Sequence, residues 1–244
     1  MPDVAIGRIL ASILVAATLG ACAAGGPYDV EAEATALGVA SGEPVLLALG
    51  FSNAHQEFEA YQKRVGTKVN RGIFQYRGYL LVNGAFGGMT TESWVAPAAF
   101  EKARRRIPGK SESSVRYVWF KIVHLGDTLL YRPDTTAFVQ ALAEDCGTAI
   151  RIMQDRYPAL QKVFVSGRSY GGYAVDISTE PYARLSWKAV DLCVAGNAVA
   201  APGPQLWDPS WPRSYFHPQD GRHLSGAGRA VAAAILDDFF QGVL

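Results

Sequence analysis

Asp220 and His223 form the segment of this sequence best suited to chemistry, because an acid stands three residues before a histidine on a glycine-rich turn. A short Asp-x-x-His turn lets the carboxylate accept the imidazole Nδ1–H. That contact fixes the tautomer and leaves Nε2 free to act as a general base. The alternative interpretation is a surface turn in which Asp220 caps the following helix and His223 is solvated. If the pair is a catalytic dyad, its nucleophile must lie elsewhere in the chain.

The rest of the sequence contains short apolar strands that alternate with helical patterns. The strand candidates are residues 45–49, 79–82, 115–123 and 163–165, and the helix candidates are residues 53–65, 97–106, 135–156 and 230–240. Strands that are apolar throughout and alternate with helices indicate a parallel sheet covered on both faces. Ligands of such sheets bind beyond the carboxyl ends of the strands, so we expect the nucleophile just after a strand.

Ser169 is the more familiar of the two serines that follow a predicted strand. The segment 167–171 reads Gly-Arg-Ser-Tyr-Gly, which matches the G-x-S-x-G nucleophile elbow of α/β-hydrolases. A long helix follows an elbow of that kind, but here Gly171 and Pro181 interrupt the residues that follow. The α/β-hydrolase fold also needs several further strands, and only 75 residues follow Ser169. The local motif therefore matches an α/β-hydrolase elbow, but the residues that follow it do not match that fold.

Ser52 has a less familiar motif in better surroundings, since it follows the first strand and precedes the helix predicted over residues 53–65. The dipole at the N-terminus of a helix favours a developing alkoxide, and the Ser52 N–H is available to an oxyanion. The glycine-rich segment 84–88, after the next strand, can bring a second backbone N–H close because glycine permits the required turn. The chain order is then serine, glycine loop and Asp-x-x-His dyad.

That order resembles the SGNH (GDSL-like) hydrolase family, in which the serine lies just after the first strand and an Asp-x-x-His segment precedes the final helix. Residues 50–53 stand where the family has Gly-Asp-Ser, and residues 220–223 match its last block. A subset of secreted bacterial SGNH-like proteins also has segments similar to residues 52–58, 84–90 and 170–174. In that subset the last of these segments lies on a strand-end loop and is not a nucleophile elbow.

The resemblance implies a three-layer α/β/α sandwich over residues 44–244, with a mostly parallel, about five-stranded, flavodoxin-like sheet. It also implies a serine ester hydrolase acting on a small-molecule or glycan ester without a cofactor or a metal. Ser52 would be the nucleophile and His223 the general base, oriented by Asp220. The oxyanion would be held by the backbone N–H groups of Ser52 and of Gly87 or Gly88.

The third block of the family departs from this pattern. The family has G-x-N-D there, and its Asn donates a hydrogen bond to the oxyanion, whereas residues 119–124 read Trp-Phe-Lys-Ile-Val-His. Lys121 or His124 is the candidate replacement for that donor. Losing one such donor costs about 10²–10³-fold in turnover. A second function therefore stays open, that of a lipoprotein that binds an acylated glycan or lipid without rapid turnover. Phe51 also replaces the usual Asp before the serine.

Four residues at strand ends are candidate substrate contacts, namely Asn53, Lys121, Arg168 and Tyr170. Asn53 is alternatively expected to cap its helix. The basic run at residues 102–106 is interpreted as a solvated helix end. The aromatic residues shortly before the dyad either form one wall of a cleft or are buried under the last loop; they are Trp207, Trp211, Tyr215 and Phe216.

Residues 1–21 are interpreted as a bacterial lipoprotein signal peptide. The apolar run 9–19 is too short to span a bilayer, and the small residues before Cys22 resemble a lipobox. Cys22 would then carry the lipid, and residues 22–43, which are small, polar and glycine-rich, would be a tether. This predicts a protein of the bacterial cell envelope that is attached to a membrane through its lipid anchor.

The overall charge and the cysteine content add two further expectations. A formal net charge of +1 gives no indication of nucleic-acid binding. Export to an oxidising compartment would allow Cys146 and Cys193 to form a disulfide, although two buried free thiols are equally compatible with the sequence.

Overall fold

The computed structural model describes residues 42–70, 72–124, 134–175 and 180–244. The predicted signal peptide, Cys22 and all but the last two residues of the predicted tether lie outside these ranges. Among the helices within the ranges, none combines the length and the apolar composition needed to cross a bilayer.

The described residues form one sheet of seven strands. The strands are β1 (Val45–Leu49), β2 (Thr67–Asn70), β3 (Ile73–Tyr76), β4 (Tyr79–Asn83), β5 (Val115–Lys121), β6 (Lys162–Ser166) and β7 (Ala200–Pro202). Their order across the sheet is β2-β3-β4-β1-β5-β6-β7. The five strands from β4 to β7 in this order pair in parallel, whereas β2 and β3 form an antiparallel hairpin beside β4.

The sheet is covered on both faces, as the apolar strands predict. All five residues of β1 are buried; Leu47 and Leu49 pack into the core on one face, and Leu46 and Ala48 pack into the core on the other. The prediction of a mostly parallel α/β/α sandwich is therefore confirmed. The sheet has seven strands, whereas about five were expected. The β2–β3 hairpin and the short β7 were not among the strand candidates, because their residues are only partly buried and lack the apolar runs of the other strands.

Six α-helices connect the strands within the described ranges. They are α1 (Ser52–Val65), α2 (Thr91–Trp94), α3 (Pro97–Arg104), α4 (Thr135–Arg156), α5 (Tyr182–Ala195) and α6 (Gly226–Gln241). Helices α1 and α6 cover one face of the sheet, and the other four cover the opposite face. On that opposite face, Cys146 of α4 and Cys193 of α5 form a disulfide with a Cα–Cα distance of 6.1 Å.

Helices α1 and α6 pack against each other, which brings the first and the last helix of the domain side by side. The rings of Tyr61 and Phe240 contact at a centroid distance of 5.7 Å. At the solvent edge of the same interface, Arg64 Nε lies 3.4 Å from Asp237 Oδ2. This packing places the start of α1 next to the turn that precedes α6.

Candidate active site

Ser52 is the first residue of α1 and directly follows the sharp turn at the end of β1. The turn requires glycine at position 50, where φ is +134° and a Cβ would lie 2.6 Å from the carbonyl oxygen of Lys121. Phe51 occupies the N-cap position and is buried. Ser52 therefore presents its hydroxyl and its backbone N–H at the positive end of a 14-residue helix.

The structure brings Ser52 to the dyad, although 171 positions separate it from the histidine. Ser52 Oγ lies 2.8 Å from His223 Nε2, and His223 Nδ1 lies 2.6 Å from Asp220 Oδ2. Asp220 does not cap α6, because Ser225 is the N-cap residue and its hydroxyl accepts the Gly228 N–H at 3.3 Å. The interpretation of Asp220 as a helix cap is thus wrong, and its carboxylate is directed to the imidazole.

The turn that carries the dyad is held by hydrogen bonds between the Asp220 carboxylate and the backbone of the turn. Asp220 Oδ1 accepts the N–H groups of Arg222 and His223 at 2.8 and 3.0 Å. Gly221 has a φ of +61°, and a Cβ there would clash with the carbonyl of Tyr173. Burial opposes ionisation of the Asp220 carboxyl, but the hydrogen bonds from the His223 ring and the two N–H groups outweigh it and lower its pKa to about 2. Asp220 is therefore a stable acceptor for the Nδ1 proton.

Asn53 connects helix α1 to the turn that carries Asp220 and His223. Its Nδ2 donates to the carbonyl oxygen of Arg222 at 3.0 Å, and its side chain is buried. Asn53 does not cap α1, since Phe51 occupies the N-cap position and no side chain makes a capping hydrogen bond there. The expected cap is thus wrong; Asn53 instead fixes the spacing between the segments that carry Ser52 and His223.

The glycine loop, residues 84–88, remains attached to the end of β1. Gly84 N–H donates to Ala48 O at 2.9 Å, and Phe86 N–H donates to Gly50 O at 3.1 Å. Gly87 and Gly88 are exposed at the tip of the loop. The loop thus lies beside the turn that carries Ser52, as an oxyanion site would require.

His55 lies one helical turn after Ser52 and supports the glycine loop. Its Nδ1 is 3.1 Å from the carbonyl oxygen of Ala85. Burial, together with the nearby positive charge of Arg106, lowers the pKa of His55. The neutral ring therefore donates its Nδ1–H to Ala85 O, and this contact orients the loop; sequence reasoning assigned His55 no such role.

Lys121, at the end of β5, lies beneath α1 in a fully buried cluster with Glu57 and Ser169. Lys121 Nζ donates to Glu57 Oε1 at 2.7 Å and to Ser169 Oγ at 2.9 Å, and Ser169 Oγ in turn donates to Glu57 Oε1 at 2.9 Å. Burial lowers the pKa of Lys121, and the adjacent Glu57 carboxylate opposes this effect. The structure thus places the ammonium on two internal partners, away from the surface on which a substrate would lie.

The other predicted contacts are also largely internal. His124 is buried, with Nε2 3.0 Å from Asp145 Oδ2 of α4. Arg168 is buried as well, and its backbone N–H donates to Ser186 Oγ at 2.8 Å. The half-buried ring of Tyr170 packs among other aromatic rings, with centroid distances of 5.4 Å to Tyr173, 6.1 Å to Trp207 and 6.3 Å to Phe216.

The described residues were searched for clusters of metal ligands, and the sequence was compared with known families and proteins. In the part of the chain that the structure describes, no group of three or more His, Cys, Asp or Glu side chains is arranged to hold a metal ion. No protein-family model matches the sequence, and the comparison with curated proteins gave no match.

Solved structures with a similar fold do exist. Est24 from Sinorhizobium meliloti, described as a carbohydrate acetylesterase, matches with a TM-score of 0.54 and 14% identity over 83% of this chain and 100% of its own. A protein from Parabacteroides merdae assigned as a GDSL-like lipase matches with a TM-score of 0.50 and 13% identity over 82% and 97%. Protein YxiM of Bacillus subtilis matches with a TM-score of 0.50 and 12% identity over 83% of this chain, which spans 57% of YxiM.

Proposed function

We propose that this chain, which has the fold of the SGNH (GDSL-like) hydrolases, is a serine ester hydrolase that uses Ser52, His223 and Asp220. The observation that carries the proposal is the unbroken series of hydrogen bonds from Ser52 Oγ to His223 Nε2 and from His223 Nδ1 to Asp220 Oδ2. A nucleophile, a base within reach of its proton and an acid that orients the base are the parts that acyl transfer needs.

In the proposed reaction, Ser52 Oγ attacks the carbonyl carbon of the ester while His223 Nε2 takes the hydroxyl proton. The ionised Asp220 stabilises the imidazolium that forms. His223 then returns the proton to the departing alcohol oxygen, which leaves an acyl group on Ser52. A water molecule, deprotonated by His223, attacks the acyl carbon and releases the carboxylic acid and the free serine.

The oxyanion would be held by backbone donors. The Ser52 N–H lies at the N-terminus of α1, where the helix dipole adds to the attraction. Gly87 or Gly88 would supply the second N–H from the tip of the adjacent loop. Because Lys121 and His124 are directed to Glu57 and Asp145, we assign neither of them to the oxyanion, so this site relies on main-chain N–H groups.

Ser169 is a poor nucleophile in this arrangement. Its hydroxyl is 3% exposed and is bound by both Glu57 and Lys121. No helix begins at Ser169, and the next helix that the structure describes starts at Tyr182. Both features differ from the exposed elbow serine of an α/β-hydrolase.

Covalent labelling by a fluorophosphonate probe tests the assignment. We expect wild-type protein and the Ser169→Ala variant to be labelled, and Ser52→Ala and His223→Ala to be unlabelled. Labelling of Ser52→Ala, combined with loss of labelling in Ser169→Ala, would transfer the nucleophile to Ser169. An unlabelled wild-type protein would instead support the non-catalytic lipoprotein that binds an acylated ligand.

A carbohydrate ester is the substrate class that we favour, because Est24, with the highest of the three TM-scores, is described as a carbohydrate acetylesterase. The proposal is tested by the release of acetate from acetylated oligosaccharides, with Ser52→Ala as the control. Equal release by both proteins would contradict it.

We further propose that Cys22 carries a lipid that holds the protein on a membrane of the bacterial cell envelope. The proposal is supported by the sequence Leu-Gly-Ala at residues 19–21, directly before the cysteine. Metabolic labelling with an alkyne fatty acid should mark wild-type protein and leave Cys22→Ser unmarked. Equal labelling of the two would exclude Cys22 as the lipid attachment point.

A further inference from the structure

Two basic side chains at the end of α3 contact the ring of Phe86 in the glycine loop. Lys102 Nζ and the Arg106 guanidinium carbon each lie 4.2 Å from the centre of that ring. Arg106 Nη1 also donates to the carbonyl oxygen of Asn83, at 2.9 Å, where the loop begins. The sequence suggested a solvated helix end here; the structure shows two cations, called here the cation pair, fixed against the loop beside Ser52.

The charges of the cation pair are not neutralised by an acid within the described residues. No carboxylate oxygen there lies within 4.0 Å of the nitrogen atoms of Lys102 or Arg106. The nearest acid in sequence, Glu101, instead contacts Arg104 at 3.0 Å and Arg156. Burial lowers the pKa of Arg106, so a partly desolvated guanidinium is held without a counter-charge, which is unfavourable unless an anion binds.

The cation pair is close to the reacting atoms. Phe86, which both cations contact, donates its N–H to Gly50 O, two residues before the nucleophile. The charge of Arg106 also reaches His55, one helical turn after Ser52. The two cations therefore border the glycine-loop side of the site.

The position of His223 decides which part of a substrate would meet the cation pair. His223 must face the leaving alcohol in order to protonate it, and its turn packs next to Tyr173, as the close approach of Gly221 to the Tyr173 carbonyl shows. Lys102 lies on α3 and Arg106 two residues after its end, and α3 covers the opposite face of the sheet from α1 and α6. The alcohol thus lies towards the His223 turn and the acyl group towards the glycine loop.

We propose that Lys102 and Arg106 bind a carboxylate on the acyl part of the substrate, so that the preferred esters are monoesters of dicarboxylic acids. This inference rests on the proposed ester hydrolase and specifies its acyl group. A carboxylate there would receive the partly desolvated Arg106 as a charge-assisted donor. The alcohol part, which includes the favoured carbohydrate, is unaffected by this assignment.

The preference is measured with two esters of equal acyl length and the same leaving group, mono-4-nitrophenyl glutarate and 4-nitrophenyl valerate. The rate with Ser52→Ala is subtracted, because the glutarate carboxylate can assist its own hydrolysis. We expect a higher kcat/KM for the glutarate ester, and a ratio that falls as ionic strength rises. Equal values for the two esters in an active enzyme would overturn the inference and leave the proposed function intact.

Variants of the cation pair then connect the preference to these residues. Lys102→Met should reduce the glutarate-to-valerate ratio about threefold and Lys102→Glu about tenfold, as expected for a solvent-screened charge. Activity on the valerate ester should be retained, which shows that each variant is folded. Lys68→Met, on the edge strand β2, is the matched control and should keep the wild-type ratio. An unchanged ratio in both Lys102 variants would overturn the assignment.

Binding to the Ser52→Ala protein separates the two proposals. Isothermal titration calorimetry should show that monoethyl glutarate binds and that ethyl valerate binds more weakly. If wild type neither reacts with a fluorophosphonate nor hydrolyses either ester, the proposed function fails, yet this measurement still decides whether the cation pair binds a carboxylate. Equal affinities for the two ligands would overturn the inference.

Discussion

Replacing Lys121 by methionine should destabilise the fold strongly, because it leaves a carboxylate buried without its counter-charge. Lys121 and Glu57 have side-chain exposures of 0% and 1%, and the ammonium also serves the Ser169 hydroxyl. Breaking a buried pair from one side costs about 3–5 kcal/mol in the free energy of unfolding. For a domain of this size, that corresponds to a decrease of about 10 °C in Tm.

The loss of stability should be smaller when both charges of the pair are removed together than the two single variants predict. Glu57→Gln together with Lys121→Met removes both charges and keeps an amide that can hydrogen-bond to Ser169. The double variant should therefore recover about 2 kcal/mol or more relative to the sum of the two single variants. A coupling of this size would identify the ion pair, and not the volume of the lysine, as the origin of the loss.

Urea unfolding followed by tryptophan fluorescence supplies the free energies, and ester hydrolysis at a temperature where all variants are folded supplies kcat and KM. A free energy of unfolding for Lys121→Met within about 1 kcal/mol of the wild-type value would refute the reasoning. Strict additivity of the two single-variant losses in the double variant would refute it as well. A raised KM with unchanged stability would restore Lys121 as a substrate contact.

Three further predictions concern the site and its support. Asn53→Ala should reduce kcat about tenfold with little change in Tm, because it releases one buried hydrogen bond to the dyad turn; an unchanged kcat would contradict this role. Since the pKa of Asp220 is lowered from 3.8 to about 2, its stabilising contribution is complete above about pH 4 and is lost as pH falls through about 2. The Tm difference between wild type and Asp220→Asn should thus be constant from pH 7 to 4 and shrink below, and a difference that already shrinks near pH 6 would refute the assignment. The paired variant Cys146→Ser/Cys193→Ser opens a loop with a sequence separation of 47, so unfolding free energy should decrease by about 4 kcal/mol in the chain-entropy estimate, with an unchanged urea midpoint as the contrary result.

Most of the parallel part of the fold could be predicted, because four of its five strands are largely apolar runs. The apolar runs that form β1, β4, β5 and β6 predict strands buried on both faces, and their alternation with helices predicts a parallel sheet. The β2–β3 hairpin could not be recognised in the same way. Its outer strand, Thr67–Asn70, is mostly exposed and polar, so its pairing depends on the neighbouring strand and not on its own pattern.

The parts of the site that lie in short sequence motifs could be predicted. Ser52 and the Asp220–His223 dyad each stand at a strand end or a helix start, and the structure brings them together. The partner of Lys121 was not predictable, because Glu57 is 64 positions away and lies on a helix whose pattern does not distinguish a buried acid from a solvated one. The contact of Arg106 with Phe86 was not predictable either, because the two residues lie in different segments and only the tertiary fold brings them together.

The packing of α1 against α6 makes the site the last part of the domain to be completed during synthesis. Ser52 belongs to the first helix that the structure describes, whereas His223, its proposed base, stands just before the last one, and the two meet only when α6 is in place. A nascent chain that has produced β1 to β7 but not residue 223 has Ser52 without the imidazole, and it also lacks the α6 residues that cover one face of the sheet. Under the proposed function, ester hydrolysis would require a docked α6 as well as a folded sheet, so activity would report the integrity of the contact between the two ends of the domain.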